Sequence, residues 1–157
     1  MPDRLGSRMP PELVQRHLFV QGGAFRRDWQ FADEGVKWRY FFILNKSPAT
    51  DDKLLIVTAT TKVGKTVRRF GRAAVVVNPK EYDSLEKESA INCAMPEEKT
   101  KKEIMDAITR GNIIVISPLP QSVTARILKA VETVTTISPK NKALILGEDD
   151  PLPSTPS

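Results

Sequence analysis

Two apolar segments, rich in aromatic and β-branched residues, lie close together in the sequence and restrict the fold to one with an antiparallel sheet. The first covers residues 37–45 and the second residues 53–60. Such residues favour strands, and the connection over residues 45–52 is too short for the crossover that parallel strands require. Both segments are apolar without alternation, which predicts burial on two faces, as in a small barrel or a sheet covered by helices.

The remaining pattern predicts more strands first and helices late. A capping box formed by Thr100 and Glu103 begins a helix near residues 100–110, and a second helix follows Pro118 and Pro120. Further strands are predicted over residues 17–21, 73–78, 88–94 and 112–117, with a loop over residues 24–36. We therefore expect an α+β domain with a small, curled antiparallel sheet and two C-terminal helices.

Length and composition limit the class of protein. The chain has 157 residues, which predicts one domain over residues 17–147, a disordered lead-in over 1–16 and an acidic, proline-rich disordered tail over 148–157. No apolar run approaches the length of a membrane span, and no secretory signal is visible, so we expect a cytoplasmic protein with no membrane partner. One cysteine and one histidine predict neither a disulfide nor a structural metal site, and no cofactor is expected.

The positive charge is concentrated in residues 62–72, which we call the basic segment. It holds five basic residues and no acidic one, and this equals the net charge of +5 of the whole chain: Lys62, Lys65, Arg68, Arg69 and Arg72. We predict a basic loop leading into further strands that binds nucleic-acid phosphates, with Phe70 stacking on a base. The alternatives are a solvated surface loop and a core position for Phe70.

A second group of residues predicts chemistry on RNA. Arg39 begins the first apolar strand, and Thr60 and Thr61 end the next one, so antiparallel pairing would bring them to one rim. An arginine and a hydroxyl can stabilise the charge that develops when an RNA 2′-hydroxyl attacks its own phosphodiester, a reaction that needs no metal. Glu34 is a candidate general base. The alternative is that Arg39 is a strand-edge charge and that the threonines reflect β propensity.

The spacing from Glu34 to Arg39, the strand RYFFILN, the strand LLIVTATTK and the basic segment together resemble the PemK/MazF-like toxins of bacterial toxin–antitoxin systems. The resemblance covers roughly residues 34–146. It implies an SH3-like β-barrel, a homodimer, cleavage of single-stranded RNA and an acidic antitoxin as partner. Arg39 would be the phosphate-stabilising arginine, Thr61 or Thr60 the catalytic hydroxyl, and Glu34 the acidic residue. Tyr40 stands where the family usually has proline.

Two other functions compete with a metal-independent endoribonuclease of the toxin type. One is a catalytically silent SH3-like module that binds nucleic acid through the basic segment. The other is a protein-binding adaptor that uses Trp29, Phe31 and Trp38 as an apolar patch. Salt dependence separates these two, because phosphate contacts weaken with salt and apolar contacts do not.

Overall fold

The computed structural model describes residues 10–31 and 35–147. Seven strands and five α-helices occur in these ranges, with a 3₁₀ turn over Gly71–Ala73. In chain order they are α1 (Pro11–His17), β1 (Ala24–Phe31), β2 (Gly35–Ile43), β3 (Leu54–Thr60), α2 (Val63–Phe70), β4 (Ala74–Val77), β5 (Ser89–Asn92), β6 (Glu97–Lys99), α3 (Lys101–Thr109), β7 (Ile113–Ile116), α4 (Gln121–Thr133) and α5 (Pro139–Leu146).

All strand pairs are antiparallel, in the order β4-β5-β3-β2-β1-β7. One edge of β3 pairs with β2, whereas the other edge is shared by β6 along Leu54–Ile56 and by β5 at Ala59 and Thr60. The end strands β4 and β7 are not paired with each other within the described ranges, so the sheet is open there. The structure therefore confirms the α+β class and the antiparallel sheet, and does not confirm a closed SH3-like barrel.

Helices cover both faces of the sheet, which explains why the central strands are apolar without alternation. Phe42 and Leu55 point to the face covered by α4 and α5, where Val123, Ile127 and Ile145 are buried. The next residue of each strand points the other way: Ile43 and Ile56 belong to a second cluster with α1, α3 and β7. Of the two architectures predicted from the apolar runs, the sheet covered by helices is the one observed.

The predicted helix near residues 100–110 is confirmed as α3 together with its capping box. Thr100 Oγ1 accepts a hydrogen bond from Glu103 N at 3.0 Å, and Glu103 Oε1 accepts one from Thr100 N at 2.8 Å. The second bond lowers the pKa of Glu103. Its contribution to stability is therefore present above the unfolded pKa of the carboxyl and is lost as the pH falls through the folded pKa.

We expect Thr100→Ala to lower the free energy of unfolding by about 1 kcal/mol, because the first turn of α3 loses its side-chain cap. Urea denaturation followed by circular dichroism measures this difference. Thr100→Ser is the matched control, since it keeps the hydroxyl and should stay close to wild type. Equal loss in both variants would show that the methyl contacts of Thr100 are responsible, and not the cap.

Five local predictions are wrong. Residues 24–31 are strand β1 instead of a loop, because both their edges are paired, with β2 and β7. Residues 17–21 are not a strand, since α1 ends at His17 and a turn follows. That helix also corrects the predicted lead-in from Pro11 onward, because Val14 is buried against the sheet. A third C-terminal helix, α5, follows the two predicted ones, and it begins with Ser138 as a side-chain cap.

The fifth correction concerns the basic segment, most of which is helix α2 and not a loop or strand. Few of its side chains face the protein interior. Thr66 is buried, and Phe70, one turn later, packs against the main core. Its first turn has no side-chain cap, so contacts with the sheet stabilise this short helix more than its own sequence does. None of the helices within the described ranges is long and apolar enough to cross a membrane.

Candidate functional site

A groove of about 820 Å³ lies on the sheet face that also carries α3. The sheet strands β1, β2 and β3 form one side, and β6, α3 and the start of β7 form the other. The floor is apolar, with Ile56, Ile104 and Ile113 among its residues, and Met95 lies at the surface with 60% of its area exposed. An apolar cleft with polar groups on its walls is the usual form of a ligand site.

Two stacked phenylalanine rings form part of the groove. Phe25 on β1 and Phe41 on β2 are register partners, their ring centroids are 5.2 Å apart and their planes differ by 14°. Strand alternation places both rings on the groove face, and the cross-strand pairing places them side by side. Phe25 is buried in the second core cluster, with 4% of its area exposed, whereas Phe41 is half-buried. The ring of Phe41 is therefore the one that is suited to stacking with a nucleic-acid base.

Arg39 lies in this groove, two residues before Phe41 on the same face of β2. Its register partner on β1 is Arg27, which also lines the groove. Arg39 is half-buried and Arg27 is exposed. Two guanidinium groups from directly opposed positions therefore place positive charge beside the stacked rings.

The predicted threonines, Thr60 and Thr61, lie beyond the part of β3 that pairs with β2. Register pairing of β2 with β3 ends at Phe41 and Thr58, after which β3 pairs with β5 through Thr60 and Ala90. Thr58 lines the groove, and its hydroxyl donates to the carbonyl oxygen of Tyr40 at 2.9 Å. Thr60 Oγ1 accepts a hydrogen bond from Lys62 N at 3.2 Å. Thr61 follows the strand and is exposed.

Among the described residues, the groove thus brings Arg39 together with Thr58, and its lining does not include Thr60 or Thr61. Their catalytic role stays a prediction. Glu34 lies outside the described residues, so its role as a base is also a prediction. The side chains of Trp29, Phe31 and Trp38, proposed as an apolar patch, fall outside the described part as well.

All five basic residues of the basic segment face solvent. Lys62, Lys65, Arg68, Arg69 and Arg72 are all exposed. Phe70 packs against the main core, and the Arg69 guanidinium carbon lies 5.2 Å from the centre of its ring, a cation–π contact. These contacts agree with the alternative in which Phe70 is a core residue, and its stacking on a base stays a prediction.

Sequence reasoning missed several groove residues. The loop predicted over residues 24–36 contains Arg27. Phe25 and Arg27 nevertheless alternate as residues on one face of a strand do, with the apolar residue followed by the basic one. The far wall adds charged residues of both signs, which no motif indicated: Glu97, Lys99, Glu103, Asp106 and Arg110. Only the folding of β6 and α3 against the sheet brings these residues to the groove.

The buried thiol is not a candidate nucleophile. Cys93 belongs to the main core, and burial raises its pKa to about 12. Because the thiolate is the reactive form, this side chain is inert near neutral pH. In the described ranges no three residues of the types His, Cys, Asp and Glu lie together in a way that could hold a metal ion.

Comparison with known proteins gives no family. No protein-family model matches the chain, and no curated protein matches it. Among solved structures, the crystal structure of MazE-MazF (Form-III) from Deinococcus radiodurans is similar at a TM-score of 0.44 and 11% sequence identity, covering 82% of this chain and 95% of that chain. A similarity at this level carries neither a fold nor a function over to this chain.

Proposed function

We propose that this protein binds single-stranded RNA in the groove and cleaves it without a metal ion. The observation that carries the proposal is the position of Arg39 beside the stacked rings of Phe25 and Phe41. The guanidinium can bind a phosphate while the half-buried ring of Phe41 stacks with a base, and single strands are recognised by this combination of charge and stacking.

The proposed reaction is a transesterification within the RNA. The 2′-oxygen attacks the neighbouring phosphorus, the bond from phosphorus to the 5′-oxygen breaks, and the products are a 2′,3′-cyclic phosphate and a 5′-hydroxyl. A base takes the 2′ proton, for which we propose Glu34, and the leaving oxygen gains a proton. Arg39 would neutralise the charge that develops on the phosphate oxygens. A hydroxyl from Thr60 or Thr61 would donate to one of those oxygens.

Incubation of the purified protein with single-stranded RNA in EDTA tests this function. We expect cleavage products that end in a 2′,3′-cyclic phosphate. The matched substrate has the same sequence with 2′-deoxy sugars, and it should remain intact because it lacks the attacking oxygen. Binding without cleavage of the RNA would rule out the nuclease, and absence of binding would rule out the RNA-binding groove as well.

A catalytically silent nucleic-acid-binding module is the second candidate. The observation in its favour is that the hydroxyl groups of Thr58 and Thr60 both have backbone partners near the groove. In this case the same groove and helix α2 would hold the strand, and no bond would break. The cleavage experiment in EDTA separates the two candidates.

The basic segment is proposed to bind phosphates along the same strand. Neutralising Lys65, Arg68 and Arg69 together to glutamine should weaken RNA binding and lower the slope of log affinity against log salt by roughly 2, because three phosphate contacts on a single strand are lost. Fluorescence anisotropy over a range of salt concentrations measures this slope. The matched control changes three exposed lysines elsewhere to glutamine: Lys80, Lys87 and Lys129. Equal slopes in both triple variants would contradict a specific role for α2.

The toxin role and its partners are part of the proposal. A basic, exposed helix is complementary to an acidic peptide, so an acidic antitoxin protein would bind over α2 and prevent RNA from binding. We propose in addition a homodimer that acts in the cytoplasm. We expect a neighbouring gene to encode a small acidic protein, and co-expression with that protein should abolish RNA cleavage. Unchanged cleavage in a purified complex of the two would contradict this partner.

A further inference from the structure

Arg27 is not used in the function proposed above, although the strand register fixes its position relative to Arg39. The two residues are direct partners in the antiparallel register of β1 and β2. Both line the groove, next to the stacked pair Phe25 and Phe41. In such a register the Cβ atoms of opposed residues are about 5 Å apart, so the two side chains leave the sheet side by side.

Two arginines at opposed positions fit the chemistry of one phosphate. A phosphodiester has two non-bridging oxygens, and a guanidinium group presents a planar fork of N–H donors to such oxygens. A phosphate between the two side chains would therefore give each guanidinium an oxygen of its own.

The neighbouring residue supplies a natural comparison. Arg26 precedes Arg27 on β1, so alternation turns its side chain to the opposite face of the sheet. Tyr40 is its register partner there. Burial raises the pKa of Tyr40, and the nearby Arg26 lowers it by less. Arg26 and Arg27 thus have the same charge and lie on the same strand, and only Arg27 lines the groove.

We infer that Arg27 is a second phosphate ligand, which forms with Arg39 a two-arginine clamp on a single phosphodiester of the bound strand. This inference rests on the proposed binding of RNA in the groove. The two arginines would fix one phosphate in a defined orientation beside the stacked rings. Fixing the phosphate in this way is what an in-line attack by the 2′-oxygen requires.

The test measures the affinity of the full chain for a short 2′-fluoro RNA, which cannot be cleaved. We expect Arg27→Ala to raise the Kd roughly tenfold or more, since a hydrogen bond to a charged group is lost. Arg39→Ala should have a similar effect. The double variant should lose clearly less than the product of the two single effects, because both residues hold the same phosphate. Arg26→Ala should bind nearly as well as wild type.

Thermal unfolding of each variant shows whether the substitution changes the stability of the protein as well as its affinity. Arg27→Ala should unfold close to the wild-type temperature, because the side chain is exposed, while its affinity falls. Arg27→Lys, which keeps the charge and loses the fork, serves as the second variant and should bind with intermediate affinity.

Each result decides the matter. If the wild type does not bind the RNA, the proposed function itself is wrong. If the wild type binds and Arg27→Ala binds equally well, the clamp is wrong and the groove stands. Equal losses in Arg26→Ala and Arg27→Ala would show a general charge effect, and fully multiplicative losses in the double variant would show separate phosphates. Both results overturn the clamp.

Discussion

Replacement of Arg39 by alanine should lower the rate of RNA cleavage by about two to three orders of magnitude. The side chain is half-buried in the groove beside the stacked rings, where a charge aimed at the reacting phosphate acts with little screening by water. Removing one such group that stabilises a developing oxyanion costs about 10²–10³ in rate. Single-turnover cleavage in EDTA, with protein in excess over RNA, measures this step separately from product release.

Two variants make the Arg39 experiment specific. Arg39→Lys keeps the charge without the planar fork, so its rate should lie between those of the wild type and the alanine variant. Arg16→Ala removes an exposed arginine from α1 and should cleave at the wild-type rate. Cleavage by Arg39→Ala at the wild-type rate, in a protein that unfolds at the wild-type temperature, would exclude Arg39 from the reaction.

Replacement of Asn45 by alanine should lower the free energy of unfolding by about 3 kcal/mol. This side chain is fully buried where β2 leads into the connection to β3. Its Nδ2 donates to Asp51 Oδ2 at 2.8 Å and to the carbonyl oxygen of Lys53 at 2.9 Å, and its Oδ1 accepts from Leu55 N at 2.7 Å. Alanine would leave the buried N–H of Leu55 without a partner, and an unsatisfied buried donor costs about 1–3 kcal/mol in addition to the lost bonds.

Urea denaturation measures the Asn45 effect, with Asn112→Ala as the control. Asn112 is exposed at the groove, and its substitution should change stability by about 0.5 kcal/mol or less. A change in the urea midpoint without a change in the slope would show that stability alone is altered. If Asn45→Ala is as stable as wild type, the three hydrogen bonds do not fix the connection between β2 and β3.

The parts of the fold that could be predicted are those in which local pattern and tertiary packing agree. Strand β3 and helix α3 are examples: the first is a buried apolar run, and the second has a capping box that the structure confirms. Strand β1 could not be predicted, because Arg26 and Arg27 interrupt its apolar pattern. Its strand state depends on pairing with β2, which follows it closely in the chain, and with β7, which is distant in sequence.

For helix α2, the β propensity of its residues predicted the wrong secondary structure. Val63, Thr66 and Val67 are β-branched and suggested a strand. The helix forms because Thr66 and Phe70, four residues apart, both face the protein interior, and a helix brings these positions to one side. In the site, Arg39 was predicted from its place on a strand, whereas Arg27 could not be found without the register of β1.

The structure of the protein bound to a 2′-fluoro RNA tests the central claim most directly. We predict that the strand lies along the groove, with a phosphate within hydrogen-bond distance of the Arg39 guanidinium and a base against the ring of Phe41. A strand bound on the opposite face of the sheet, or along α2 with the groove empty, would contradict the account.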